Sequence, residues 1–171
     1  QSLLINMFKK LVDGGIDDWK LILLGSASSN ISNEVKTLEK EAQGCPIEII
    51  VNSDFPTLRK YYSASKIFWH AVGFDENLEA FPARAEHFGI TTVEAMAAGC
   101  VPVVFKGGGQ KEIVSSGKDG FLWETEKDWE DKTLELINDK KLLEKLGIQA
   151  QIRAKDFSKE TFFFTLSEII K

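Results

Sequence analysis

Five short apolar runs, separated by stretches of helical periodicity, constrain this chain more than any other feature. Trp19 to Leu24, Ile47 to Val51, Lys66 to Val72, Val101 to Phe105 and Phe121 to Trp123 are short, rich in β-branched and aromatic residues, and too apolar to alternate between core and water. A strand buried on both faces and joined to the next by a helix belongs in a parallel sheet. The expected fold class is therefore α/β, a Rossmann-like doubly wound parallel sheet with helices at its C-terminal end. Leu3, Leu4, Met7, Phe8, Leu11 and Val12 fall at helical spacing before Gly14-Gly15, so residues 2 to 13 read as the first covering helix. Further helices are expected over about 31 to 43, 56 to 63, 90 to 98 and 110 to 115.

From Glu124 onward the pattern is helical throughout. Trp129, Leu134, Ile137, Leu142, Leu143 and Leu146 form apolar stripes, Gly147 reads as an interruption, and a last helix carries Phe162, Phe163, Phe164, Leu166, Ile169 and Ile170. So apolar a helix is a liability in water and reads as core or as an interface with another domain.

The length of 171 residues and a 43% hydrophobic share fit one domain, residues 1 to 171. With 21 Lys and Arg against 26 Asp and Glu, the net charge of -5 argues against a general nucleic-acid surface. Cys45 and Cys100 stand apart with no metal spacing around them and read as reduced thiols of a cytoplasmic protein. Neither an Asp-x-Asp pair nor a Ser-His-Asp set is present, so neither metal nor cofactor is expected. No apolar run approaches the roughly 18 residues of a membrane span.

Function concentrates in residues 84 to 104. The polar loop 73 to 88 is too long for a routine connection and leads into Gly89, a short helix and the strand from Val101. Gly89 lets backbone approach a ligand, and the amides of Ile90, Thr91 and Thr92 are expected to start the helix without intrahelical partners, at the positive end of its dipole. That describes an anion site. Glu86 before the helix and Glu94, expected in its first turn, flank it with carboxylates that accept bonds from hydroxyls. Thr91-x-x-Glu94 is also a capping box, which leaves a purely structural role open for Glu94.

These residues resemble a known family. Glu86 and Glu94 with seven residues between them, then Ala95-Met96-Ala97-Ala98-Gly99-Cys100-Val101-Pro102-Val103-Val104, are similar to the donor-site signature of retaining GT-B glycosyltransferases of family 4, glycosyl transferases group 1. Gly107-Gly108-Gly109-Gln110-Lys111-Glu112-Ile113-Val114 and Gly117-Lys118-Asp119-Gly120-Phe121-Leu122-Trp123 extend the likeness.

The resemblance implies the donor-binding half of a GT-B enzyme, moving a hexose from a nucleoside diphosphate sugar to a saccharide or lipid-linked acceptor with retention of configuration. Glu86 would meet the donor sugar near its anomeric centre and Glu94 the ribose hydroxyls. His87, where most of the family has glycine, would donate to phosphate, or else pack as a loop histidine on Phe88. His70 would lie near sugar or acceptor as a second catalytic candidate, or be a satisfied strand-end histidine. Phe88, Gly89, Ile90, Thr91, Thr92, Gly107 and Gly108 would line the donor, and Asn52 and Ser53 would border the nucleobase.

The resemblance further implies an acceptor domain, and a first strand with an Arg and a Lys for the diphosphate, neither visible in these residues. Peripheral membrane contact would suit a lipid-linked acceptor. A sugar-nucleotide-binding module without turnover, or a GT-B epimerase or phosphorylase, are the rival readings.

Overall fold

A computed structural model of the chain describes residues 1–26 and 32–170. They fall into two compact units, Gln1–Lys60 and Tyr61–Lys171.

In the first unit, α1 (Ser2–Asp13) and α2 (Ser32–Ala42) accompany two parallel strands, β1 (Leu21–Gly25) and β2 (Ile47–Val51), paired from Leu21 with Ile47 to Gly25 with Val51. The expected start of α2 at residue 31 lies outside the described residues. α1 buries Ile5, Met7, Phe8 and Leu11. It ends where the Gly14 amide donates to the Lys10 carbonyl and Gly15 turns left-handed to donate to Val12, a glycine-terminated close that satisfies the last carbonyls. β1 starts two residues after the expected Trp19. α3 (Phe55–Ala64) runs across the division between the units.

The second unit is built on a three-stranded parallel sheet, β3 (Ile67–His70), β4 (Val101–Phe105) and β5 (Phe121–Trp123), in the order β3-β4-β5. Ile67 pairs with Val101 and Val103 with Phe121. β4 is central, and Val101 to Val104 are fully buried along it, as the continuous apolar run requires. Around the sheet lie α4 (Ile90–Ala97), α5 (Gln110–Ile113), α6 (Glu126–Asn138), α7 (Lys140–Ala154) and α8 (Lys159–Ile169). Met96, Val104, Ile113, Val114, Ala150 and Ala154 form a core cluster where α4, β4, α5 and α7 meet. Trp69 meets Trp129 edge to face at 4.6 Å. Thr125, Asp139 and Ser158 cap α6, α7 and α8 through side-chain oxygens.

Three expectations are corrected. α7 passes through Gly147 without interruption. Its glycine is there for contact: a Cβ at Gly147 would lie 2.8 Å from the Gly99 carbonyl oxygen, so α7 seats its backbone on the turn before β4. Of the two readings of the α8 phenylalanines, core is overturned and an interface with another domain is left, since Phe162, Phe163 and Phe164 are 62%, 64% and 69% exposed. α5 is a single turn ending at Ile113, held by Arg153 of α7, whose guanidinium donates to the carbonyls of Ile113 (3.0 Å) and Glu112. No helix among the described residues is long and apolar enough to cross a membrane.

Candidate functional site

His70 ends β3, and its position on the strand carries its ring to the carboxyl end of the sheet, where such folds place ligands. There its Nε2 lies 3.1 Å from Glu86 Oε2. The His70 side chain is 11% exposed and that of Glu86 28%. Burial pulls the imidazole below its ordinary value, partly offset by the Glu86 charge and bond. The ring is therefore neutral at neutral pH, and the pair is a neutral imidazole donating to a carboxylate.

The loop that delivers Glu86 is ordered. A 3-10 turn, Pro82–Arg84, precedes it, Arg84 pairs with Glu76 at 2.6 Å, and the Asn77 side chain accepts from the Ala80 amide at 3.0 Å. Phe74 anchors the loop against Phe105 and Trp123. On the far side of Glu86, Phe88 stacks edge-on against Phe157 at 5.9 Å.

The glycine turn after β4 lies directly against this segment. The Gly109 amide donates to the Glu86 carbonyl at 2.8 Å. A Cβ at Gly108 would fall 2.0 Å from that same oxygen, and one at Gly109 would fall 2.5 Å from the His87 carbonyl oxygen. Backbone rests on backbone here, which no side chain allows. Gly108 and Gly109 thus support the Glu86 loop.

Gly89 is the N-cap of α4, left-handed at φ 98°, with no side-chain cap bond. This changes two expectations. The capping box of Thr91 and Glu94 does not form, because the N-cap is Gly89, two residues before Thr91. Glu94 becomes the fifth helical residue, in the second turn rather than the first. A third expectation fails in part, since the Thr92 amide donates to the Gly89 carbonyl at 3.0 Å. Ile90 and Thr91, at the first two helical positions, keep the amides that precede intrahelical bonding. Their side chains and that of His87 are exposed, whereas Thr92 is fully buried.

Glu94 has a partner that the sequence did not suggest. The Tyr62 hydroxyl feels its charge, and burial together with that charge pushes the hydroxyl up to about 12. Below, the buried Cys100 thiol, pushed up to about 11 by burial, donates to the Tyr62 carbonyl at 3.2 Å. Tyr62 and Glu94 are 32 residues apart, so no spacing rule would have paired them. The same holds for Gln110, whose amide nitrogen lies 3.4 Å from His70 Nδ1.

The second unit therefore gathers His70, Glu86, Gly89, Glu94 and the glycine turn. Asn52 and Ser53 belong to the first unit, at the carboxyl end of β2, with Asn52 left-handed at φ 55°. No group of three or more His, Cys, Asp or Glu among the described residues could hold a metal ion.

This parallel α/β chain shares its fold with part of solved GT-B glycosyltransferases. Residues 1–153 match the family described as Glycosyl transferases group 1, and the chain belongs to that family. It is 40% identical over 88 residues to an alpha-1,3/1,6-mannosyltransferase of Dictyostelium discoideum, a match covering 50% of this chain and 21% of that protein. It is 36% identical over 111 residues to the GDP-Man:Man(3)GlcNAc(2)-PP-Dol alpha-1,2-mannosyltransferase of Xenopus tropicalis, covering 60% of this chain and 20% of the relative. The matched stretch thus spans about a fifth of each relative. Among solved structures, Anabaena HepE in complex with UDP and glucose superposes with a TM-score of 0.77 at 23% identity, over 99% of this chain and 44% of that one.

Proposed function

We propose that this chain is the nucleotide-sugar-binding part of a retaining glycosyltransferase that moves a hexose from a nucleoside diphosphate sugar to a saccharide or lipid-linked acceptor. The observation that carries the reading is Glu86, fixed by His70 and by the glycine turn, at the edge of a helix start whose first amides suit phosphate. A fixed carboxylate next to bound phosphate stabilises positive charge as the glycosidic bond to the leaving diphosphate breaks. Glu94, one turn along the helix, accepts from ribose hydroxyls, and Phe88, His87, Ile90 and Thr91 border the donor. Thr92 contributes through backbone placement, its side chain being buried. Asn52 and Ser53 serve the nucleobase.

The mannosyltransferase relatives favour mannose as the hexose, and the neighbour's bound UDP favours a nucleoside diphosphate. The proposal includes no metal. It places the reaction in the cytoplasm, at a membrane surface where the acceptor is lipid-linked, with the acceptor held by another domain of the whole enzyme.

Glu86→Gln in the whole enzyme tests the central assignment. The amide still accepts from His70 but carries no charge, so kcat should fall about a hundredfold or more while nucleoside diphosphate affinity stays nearly unchanged. Equal losses in affinity and turnover would overturn the role.

A further inference from the structure

Gln110 opens α5 and is fully buried, a costly place for an amide. Its Nε2 lies 3.4 Å from His70 Nδ1, while its Oε1 is buried without a partner among the described residues. The amide also fills the space under Gly89, where a Cβ would come within 2.9 Å of Nε2.

The donor inventory then leaves one consistent pattern for a neutral ring. An amide NH2 only donates, so Nδ1 must offer its lone pair. The single ring proton therefore sits on Nε2 and donates to Glu86 Oε2, 3.1 Å away. Turned over, the amide would face Nδ1 with its oxygen and demand a proton there. Nε2 would then present a lone pair to a carboxylate, which is repulsive.

We propose that Gln110 is a positioning residue for Glu86, locking His70 in the Nε2–H tautomer so that the ring proton holds the carboxylate in place. The lock itself follows from geometry, and only its consequence for transfer rests on the functional reading above.

Nitrogen spectroscopy tests it without any activity measurement. Long-range proton–nitrogen spectra of the 15N-labelled chain at neutral pH should show a pyridine-like Nδ1 and a pyrrole-like Nε2 for His70. His87, the chain's other histidine, is assigned by its loss in His87→Asn. Gln110→Met keeps the length and removes the donor while Glu86 still accepts from Nε2–H, so both nitrogens should move part of the way towards the averaged shifts of exchanging tautomers. Gln110→Glu offers Nδ1 an acceptor and should draw a proton there.

A wild-type ring protonated at Nδ1 would overturn the lock, and this spectrum decides even if neither variant folds. So would unchanged nitrogen shifts in a Gln110→Met chain whose amide spectrum shows it folded. The lock confirmed, with Glu86→Gln leaving transfer intact, would sink the role of Glu86 and leave the tautomer assignment standing.

Discussion

Glu94 rests on Tyr62, and that contact decides how its removal will read out. On the proposed function, truncation to alanine takes away the acceptor for two ribose hydroxyls, and charged acceptors are worth about 1.5 to 3 kcal/mol per bond before water replaces them. A loss of about tenfold or more in nucleoside diphosphate affinity is expected. Truncation also strands the half-buried Tyr62 hydroxyl, which adds a stability loss unrelated to capping. Calorimetry of Glu94→Ala, Tyr62→Phe and the double variant separates the two effects. The double variant should regain part of the stability and none of the affinity. Unchanged affinity in Glu94→Ala would end the ribose assignment.

At the scale of elements, α7 organises the second unit. Its backbone meets the Gly99 carbonyl at Gly147, and its Arg153 reaches the two last carbonyls of α5, pairs with Asp156 at 2.8 Å and lies over the Phe157 ring at 4.8 Å. Phe157 is also the ring on which Phe88 leans. The helix that closes the core thus also props the loop carrying Glu86. Gly147 offers a test by sign. Glycine inside an exposed helix costs about 0.5 to 1 kcal/mol relative to alanine, so replacement ordinarily stabilises. Here the added methyl meets a backbone oxygen at 2.8 Å. Gly147→Ala should instead destabilise by about 1 to 3 kcal/mol, the scale of overpacking. A higher urea midpoint in the variant would show that α7 and the Gly99 turn accommodate the methyl.

For the molecule as a whole, the functional reading separates binding from transfer. Rapid transfer needs an acceptor held against the anomeric carbon with water shut out, and the stretch matched here is about a fifth of each mannosyltransferase relative. These 171 residues alone are therefore expected to bind nucleoside diphosphates weakly, in the micromolar to millimolar range, about -8 to -4 kcal/mol, and to transfer no sugar. Titration of the chain with UDP, GDP and ADP should shift amides from Gly89 to Val93 in fast exchange. Nanomolar binding, or shifts clustered away from that helix start, would relocate the site.

The sequence alone determined what depends on local pattern. Strand length, β-branching and turn residues placed β2, β4 and β5 to the residue, and helical spacing placed α1, because periodicity and termination are properties of neighbours in the chain. The same was true of the family signature, whose glutamates and glycines lie within thirty residues. Only the tertiary structure decided what those residues touch. Gly108, Gly109 and Gly147 carry the same local signal as any helix stop or loop, and their reason, a facing carbonyl, comes from a distant segment. Glu94 lost the capping alternative because Gly89, with a left-handed backbone, starts the helix earlier than a Thr91 cap would. Gln110 and Tyr62 gained theirs from partners 40 and 32 residues away. Spacing rules reach a turn or two along a helix or a pair of strand neighbours, and hydrogen bonds that close across a folded unit lie beyond them.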